Sequence, residues 1–250
     1  MSGHSKWSSI KHQKGAADKK RGALFSKLAR AIIVAAKEGG GDPANNLSLQ
    51  NAIGKARAAS MPRDNIERAI ARGAGAGEGG ESYEAVSYEG YGSGGAALIV
   101  EGLTDNRNRT AADVRFLFGK YGGSLGTPGS VAWMFERKGL IAVPGEGVDG
   151  DELTLVAADG GAEDVREDGN GGYEVIADPA DLSAVRTALE EAGIAFSSAD
   201  LTMEAQNTVE VDIDQARSLM RLVEALEEHD DVQDVYFNFD IPDAVLEEVG

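Results

Sequence analysis

The sequence predicts an α+β protein: an N-terminal three-helix domain followed by two α+β domains, one inserted in the other. Three observations carry that expectation. Residues 17–72 hold three stretches with apolar residues at three- and four-residue spacing, the period of one helix face. A Gly-rich run from Gly73 to Ser82 (GAGAGEGGES) then breaks the pattern. Beyond it, short β-rich runs alternate with single amphipathic helices, the order expected of sheets covered by helices.

The elements follow in order. Ser2 to Gly15 is polar, basic and without periodicity, and reads as an extended arm. A first helix runs from about Ala17 to Glu38, with Leu24, Leu28, Ile32 and Ala35 on one stripe and Phe25 widening it. Gly39-Gly40-Gly41 stops it, and Pro43 blocks an early restart. A second helix, about Asn46 to Ala58, presents Leu49, Ala52, Ile53 and Ala56. A third, about Asp64 to Arg72, has Asp64 and Glu67 at capping-box spacing.

After the linker, Tyr83–Tyr88 and Ala96–Leu103 read as strands around a Gly-rich turn, and Arg107–Tyr121 as a helix that Thr104 or Asp105 caps. Val131–Glu136 and Leu140–Val143 read as two strands around a turn at Lys138-Gly139. Helices near 151–158 and 180–192 and strands near 162–166, 173–177 and 199–204 complete that stretch. A strand near 208–212, a helix over 214–228 and a strand over 232–239 close the chain.

That count divides the chain. Residues 1–72 are the basic arm and helical domain, and 73–82 the Gly-rich linker. Residues 131–204 hold enough elements for a complete layered unit, whereas 83–130 hold only two strands and a helix. The expectation is one α+β domain made of 83–130 plus 205–240, with 131–204 inserted.

Composition excludes several function classes. The chain has 250 residues, 42% hydrophobic and 26% charged, the balance of a globular protein rather than a disordered or fibrous one. Its longest apolar run, Ala31 to Ala36, is far short of the ~20 residues a membrane helix needs. No apolar signal core follows Met1, so the expected location is cytoplasmic. There is no Cys, hence no disulfide, thiolate metal site or cysteine nucleophile. His4, His12 and His229 lack ligand spacing, so no metal and no cofactor is expected. Gly75-x-Gly77-x-x-Gly80 follows a helix and precedes a strand, the wrong context for a dinucleotide site. No Ser stands in a nucleophile elbow. The chain is not expected to be an enzyme, and a carboxylate-dependent nuclease is the distant alternative.

Charge is the informative feature. The net charge is −18, yet residues 1–72 carry fourteen Lys and Arg against five Asp and Glu, while the remainder carries ten against thirty-seven. Such a split marks a polyanion contact on one part of a chain. Lys6, Trp7, Lys11, His12, Lys14, Lys19, Lys20, Arg21, Lys27 and Arg30 crowd into 25 residues, with Asp18 the only acid among them. Arg57, Arg63, Arg68 and Arg72 extend the charge onto the next two helices. Lys and Arg neutralise phosphates and release counterions, so these are candidate nucleic-acid contacts. Trp7 can stack on an unpaired base or clamp the arm onto the helical core. Arg107 and Arg109, at the start of a helix, form a candidate anion site beside its N–H groups, or simple surface ion pairs.

The strings Gly3–His12 (GHSKWSSIKH), Lys19–Gly22, Gly39–Pro43 and Met61–Ile70 (MPRDNIERAI) resemble the YebC/PmpR family. So do Tyr88–Gly92, Leu103–Thr110 (LTDNRNRT), Gly129–Phe135, Gln206–Val209 and Asp231–Tyr236, so the likeness covers nearly the whole chain. Ser9 and Pro128 depart from the usual Asn and Ser. The resemblance implies two ferredoxin-like α+β domains after the helical one. It also implies a cytoplasmic DNA-binding transcriptional regulator. Relatives are described as translation factors at the ribosome, including at proline-rich stalls. Two partners therefore stand open: duplex DNA, and ribosomal RNA or the ribosome. The Lys- and Arg-rich helices supply affinity more readily than base reading, for which Gln50-Asn51 is the best pair.

Overall fold

The computed structural model describes residues 18–75, 83–169 and 171–242, with side chains from Gly22 onward. The expected arm, Ser2 to Gly15, and linker residues 76–82 lie outside the described residues. Residues Phe135–Gln206 form one unit, and the described residues on either side of them another.

Three helices open the second of these units: α1 (Asp18–Gly39), α2 (Leu47–Ala58) and α3 (Arg63–Gly73). Ile32, Ile33 and Ala36 of α1, Leu49, Ile53 and Ala56 of α2, and Ile66 and Ala69 of α3 form one buried cluster. The α1–α2 corner is tied by Asn46. Its Oδ1 accepts from Leu49 N at 3.0 Å, capping α2. Its Nδ2 donates to Ala35 O and Gly40 O, both at 2.8 Å, closing the orphan carbonyls of α1. At the other crossing, a Cβ on Gly73 would lie 2.3 Å from Ile33 O, so only glycine lets α3 approach α1 this closely. The expected Asp64 cap is not formed. α3 starts after Pro62, Asp64 falls in its first turn, and Glu67 is bonded to Arg63 instead.

The same unit holds a sheet of β1 (Glu84–Tyr91), β2 (Ala97–Thr104), β3 (Ser124–Leu125) and β8 (Val232–Phe237), in the order β3-β1-β2-β8. Every pairing is antiparallel. Helices α4 (Arg107–Lys120) and α7 (Ile213–Glu227) supply its core with Val114, Phe118, Leu219, Leu222 and Leu226 against Leu98, Val100, Val235 and Phe237. The stretch near 208–212 makes only a bridge, Val209 to Phe239, where a strand was expected. The short β3 was not foreseen, because two residues carry no period.

Residues Phe135–Gln206 run β4 (Phe135–Val143), α5 (Gly150–Asp159), β5 (Ala162–Glu167), β6 (Tyr173–Ala177), α6 (Leu182–Glu191) and β7 (Ser198–Ala205). Their order is β5-β6-β4-β7, antiparallel throughout, which is the ferredoxin-like arrangement. The first sheet has the same arrangement with the chain cut elsewhere. There β1, first in sequence, stands beside β3 in the place of a strand that would otherwise fall between β3 and α7.

The expected two strands around Lys138-Gly139 are one continuous strand. Gly139 pairs with Ala177 on one side and Leu201 on the other. It is there because a Cβ would meet Leu182 of α6 at 3.0 Å, a packing reason rather than a turn. The residues before it, Ala132–Met134, form a short 3₁₀ turn.

Candidate nucleic-acid interface

The sequence nominated cations by type; the structure sorts them by what they touch. Lys6, Trp7, Lys11, His12 and Lys14 lie outside the described residues. Lys19, Lys20 and Arg21 lie in the first turns of α1, where only the backbone is described.

Lys27 and Arg30 sit one turn apart on α1 and reach the last residue of α7 and the segment that follows it. Lys27 Nζ donates to Glu227 O. Arg30 Nη1 donates to Asp230 O at 2.5 Å and to Asp231 Oδ1 at 2.7 Å, and its guanidinium lies 5.4 Å from the centre of the Tyr83 ring. From the other side, Arg109 Nη2 donates to Asp231 Oδ2 at 2.8 Å and to Asp105 Oδ1 at 2.7 Å. Thr110 Oγ1 and Thr104 Oγ1 donate to the same Oδ2 at 2.7 and 3.1 Å. Asp231, Thr104 and Thr110 are buried.

Burial alone would raise the Asp231 carboxyl. The hydrogen bonds from Arg109 and Thr110, with the charges of Arg30 and Arg109, outweigh it and hold the group below the usual Asp value. Arg109 is held above its own ordinary value, first by its bond to Asp231 and then by that to Asp105. The backbone cooperates. Leu103 N donates to Asp231 O at 2.8 Å, and a Cβ on Gly102 would stand 2.5 Å from that oxygen.

The expected cap of α4 is corrected here. Asn106, not Thr104 or Asp105, accepts from Arg109 N at 3.1 Å. Thr104 is drawn inward instead, accepting from Asn106 N and donating to Asp231. Arg107 lies 3.4 Å from Glu84 Oε2. Both arginines beside this helix start therefore face carboxylates.

Apart from Lys37 near the end of α1, the exposed cations of the helical region whose side chains are described stand on α2 and α3. Arg57 is exposed in the last turn of α2. Arg63 lies 2.6 Å from Glu67 Oε1 in a wholly solvated pair. Arg68 is exposed, its Nε donating to Asp64 O at 3.1 Å and its Nη2 to Asn65 Oδ1. Arg72 is exposed one turn further on. Arg68 and Arg72 border an open groove of about 290 Å³ between α1 and α3, lined also by Phe25, Ala29, Ile33 and Met61.

Two features had no signal in the sequence. The Asp231 cluster joins residues more than a hundred apart, which no local spacing reveals. The other is Glu89, whose carboxylate accepts from Gly129 N (2.6 Å), Val131 N (2.7 Å) and Ala132 N (2.8 Å). Burial would raise Glu89, but these three N–H donors pull it below the usual Glu value. They pin the loop that carries Trp133, whose Nε1 donates to Ser130 O at 3.1 Å and whose ring is exposed. Among the described residues, no group of three or more His, Cys, Asp or Glu is placed to hold a metal ion. No described helix is long and apolar enough to cross a membrane.

Comparison with known proteins agrees with the resemblance read from the sequence. Residues 5–76 match the TACO1/YebC protein N-terminal domain, and residues 83–239 the TACO1/YebC second and third domain. A protein of Rubrobacter xylanophilus named "Probable transcriptional regulatory protein" is 58% identical over 250 residues, covering 100% of both chains. Proteins of the same name from Thermobifida fusca and Bifidobacterium animalis are 53% and 54% identical. The first match covers 100% of both chains, the second 98% of each. The crystal structure of a conserved hypothetical protein from Aquifex aeolicus superposes with a TM-score of 0.83 at 47% identity, covering 93% of this chain and 96% of that one. The relatives from Rubrobacter, Thermobifida and Bifidobacterium bear a regulatory name, not that of an enzyme. Matched across nearly all of its length, the chain belongs to the TACO1/YebC family.

Proposed function

We propose that this protein is a non-enzymatic, cytoplasmic, nucleic-acid-binding regulator of gene expression, with DNA as the target and the helical region as the contact. One observation carries the reading. The only strongly basic part of a chain of net charge −18 is residues 1–72, and its arginines at 57, 63, 68 and 72 are exposed. Such cations hold phosphates without reading sequence. The regulatory names of the relatives support the same reading.

A second reading is favoured by what the exposed faces lack. Arg and Lys dominate them, and Gln50, exposed on α2, and half-buried Asn51 are the best base-reading pair. A surface of that kind suits ribosomal RNA, where dense phosphate and unpaired bases are recognised by shape and stacking. The corresponding role is a translation factor at the ribosome that relieves stalling at proline-rich sequences.

Co-sedimentation with ribosomes at about 0.15 M salt, with excess duplex DNA as competitor, separates the two. Capture of the protein by the duplex is the expected outcome. Retention on the ribosome despite the competitor makes translation the role. Binding to neither overturns both.

A further inference from the structure

The groove between α1 and α3 is the described feature that the contacts above leave without a role. Its floor is apolar, built by Phe25, Ala29, Ile33 and Met61, and its border carries Arg68 and Arg72. Ile33 and Met61 are buried, while Phe25 and Ala29 are half-buried, so part of the apolar surface faces solvent. A volume of about 290 Å³ is at the small end of ligand sites. It suits one flat ring system with its sugar and is too small for a helix or a duplex.

Resting on the nucleic-acid reading above, we infer that this groove receives one unpaired nucleotide of a single strand. The base lies on the Phe25–Met61 floor, and the flanking phosphates meet Arg68 and Arg72. The chemistry matches on both sides. A base presents an apolar face to the floor, as in single-strand sites where an aromatic side chain serves as a platform. A phosphodiester brings negative charge to two guanidiniums one helical turn apart. Arg68 is held along α3 by Asp64 O and Asn65, and a guanidinium carries more N–H donors than those bonds use. A purely apolar ligand leaves the two arginines without a role. A paired base cannot enter, because its faces are covered by its neighbours.

Ser26 lines the groove from an exposed position on α1, and among the described residues its hydroxyl donates to Gly22 O of its own helix. Ser26→Phe therefore fills the groove from outside the core. Ala29→Leu is a second filling variant from the same helix. The full chain is titrated by fluorescence anisotropy against a labelled single-stranded RNA 12-mer and the same sequence fully paired, with melting checked for each variant. The expected result is a loss of roughly tenfold in single-strand affinity for both variants, with duplex affinity unchanged. Equal losses for both probes, or unchanged single-strand binding, overturn the groove as a base site. If Trp7 emission, read in a Trp133→Phe background, shifts to the red on Ser26→Phe without loss of RNA affinity, the groove holds the chain's own N-terminal segment and the inference falls. If the unaltered chain binds neither probe, the nucleic-acid reading itself fails, an outcome distinct from failure of the groove.

Discussion

Arg30 on α1 and Asp231 after α7 are 201 residues apart in sequence, yet Nη1 of one lies 2.7 Å from Oδ1 of the other. Arg109 reaches the second oxygen of the same carboxylate. One buried acid thus holds a cation from the helical region and a cation from the helix that follows β2. An acid so placed is a structural joint. Removing its charge takes the shared carboxylate from the largely buried Arg30 guanidinium and from the half-exposed Arg109.

Asp231→Asn is expected to lower stability by about 2 kcal/mol, below the 3–5 typical of a broken buried pair because Arg109 is half exposed. Urea unfolding at pH 7 measures it, and an unchanged midpoint removes the joint from the account.

The same residue sets an acid limb. Its folded carboxyl titrates below the ordinary value of 3.8, so the unfolded chain takes up the proton first as pH falls. The stabilisation is therefore complete above about pH 5 and is lost as pH falls through 3.8 and the lower folded value. The difference in unfolding free energy between the parent chain and Asp231→Asn should be flat from pH 7 to about 5 and shrink below 4. A difference that grows on acidification contradicts the assignment.

Glu89→Gln leaves one acceptor oxygen for three backbone donors. About 1–2 kcal/mol of stability should go, and hydrogen exchange at Gly129, Val131 and Ala132 should quicken while exchange in α7 is unaffected near neutral pH. Unaltered exchange at those amides shows that the loop is held otherwise.

Cations of the helical region should separate into two classes. Arg30→Ala lowers the melting temperature with little effect on the salt dependence of nucleic-acid binding. Arg68→Ala and Arg72→Ala leave melting unchanged and each reduce the slope of log K against log salt by about 1. If Arg30→Ala changes the slope while Arg68→Ala does not, the exposed face of α3 is not the contact.

Asn46→Ala removes a cap from α2 and two donors to the end of α1, one of them to a buried carbonyl. A loss of about 2 kcal/mol is expected, visible as a lower melting temperature of the helical signal. A loss of only a few tenths means that water or a neighbour replaces all three bonds.

Much of the fold was legible because it rests on period. The stripe through Ile32 and Ala35, the face Leu49-Ala52-Ile53-Ala56 and the inward positions Leu219, Leu222 and Leu226 repeat every three or four residues, and each is buried. Errors fell where one residue type serves two purposes. Gly139 was read as a turn and is a strand residue cleared for Leu182. Asp64 was read as a cap and lies inside the first turn, because Pro62 already fixes the entry of α3. Thr104 was read as a cap and is a buried partner of Asp231.

The site divides along the same line. The chain alone determined that positive charge collects in residues 1–72, that three helices share a core there, and that two helix-covered sheets follow. Those properties are local or additive, set by composition and by the periods of helix and strand. Which cations stay exposed was decided by the tertiary structure. In sequence Arg30, Arg109 and Arg68 are the same residue, each with another Lys or Arg within four positions. In the fold the first two converge on Asp231, which burial makes intolerant of standing alone, while Arg68 stays on the solvent face of α3. The partner of an ion pair is fixed by distance in space, and a separation of 201 residues leaves no trace in local spacing.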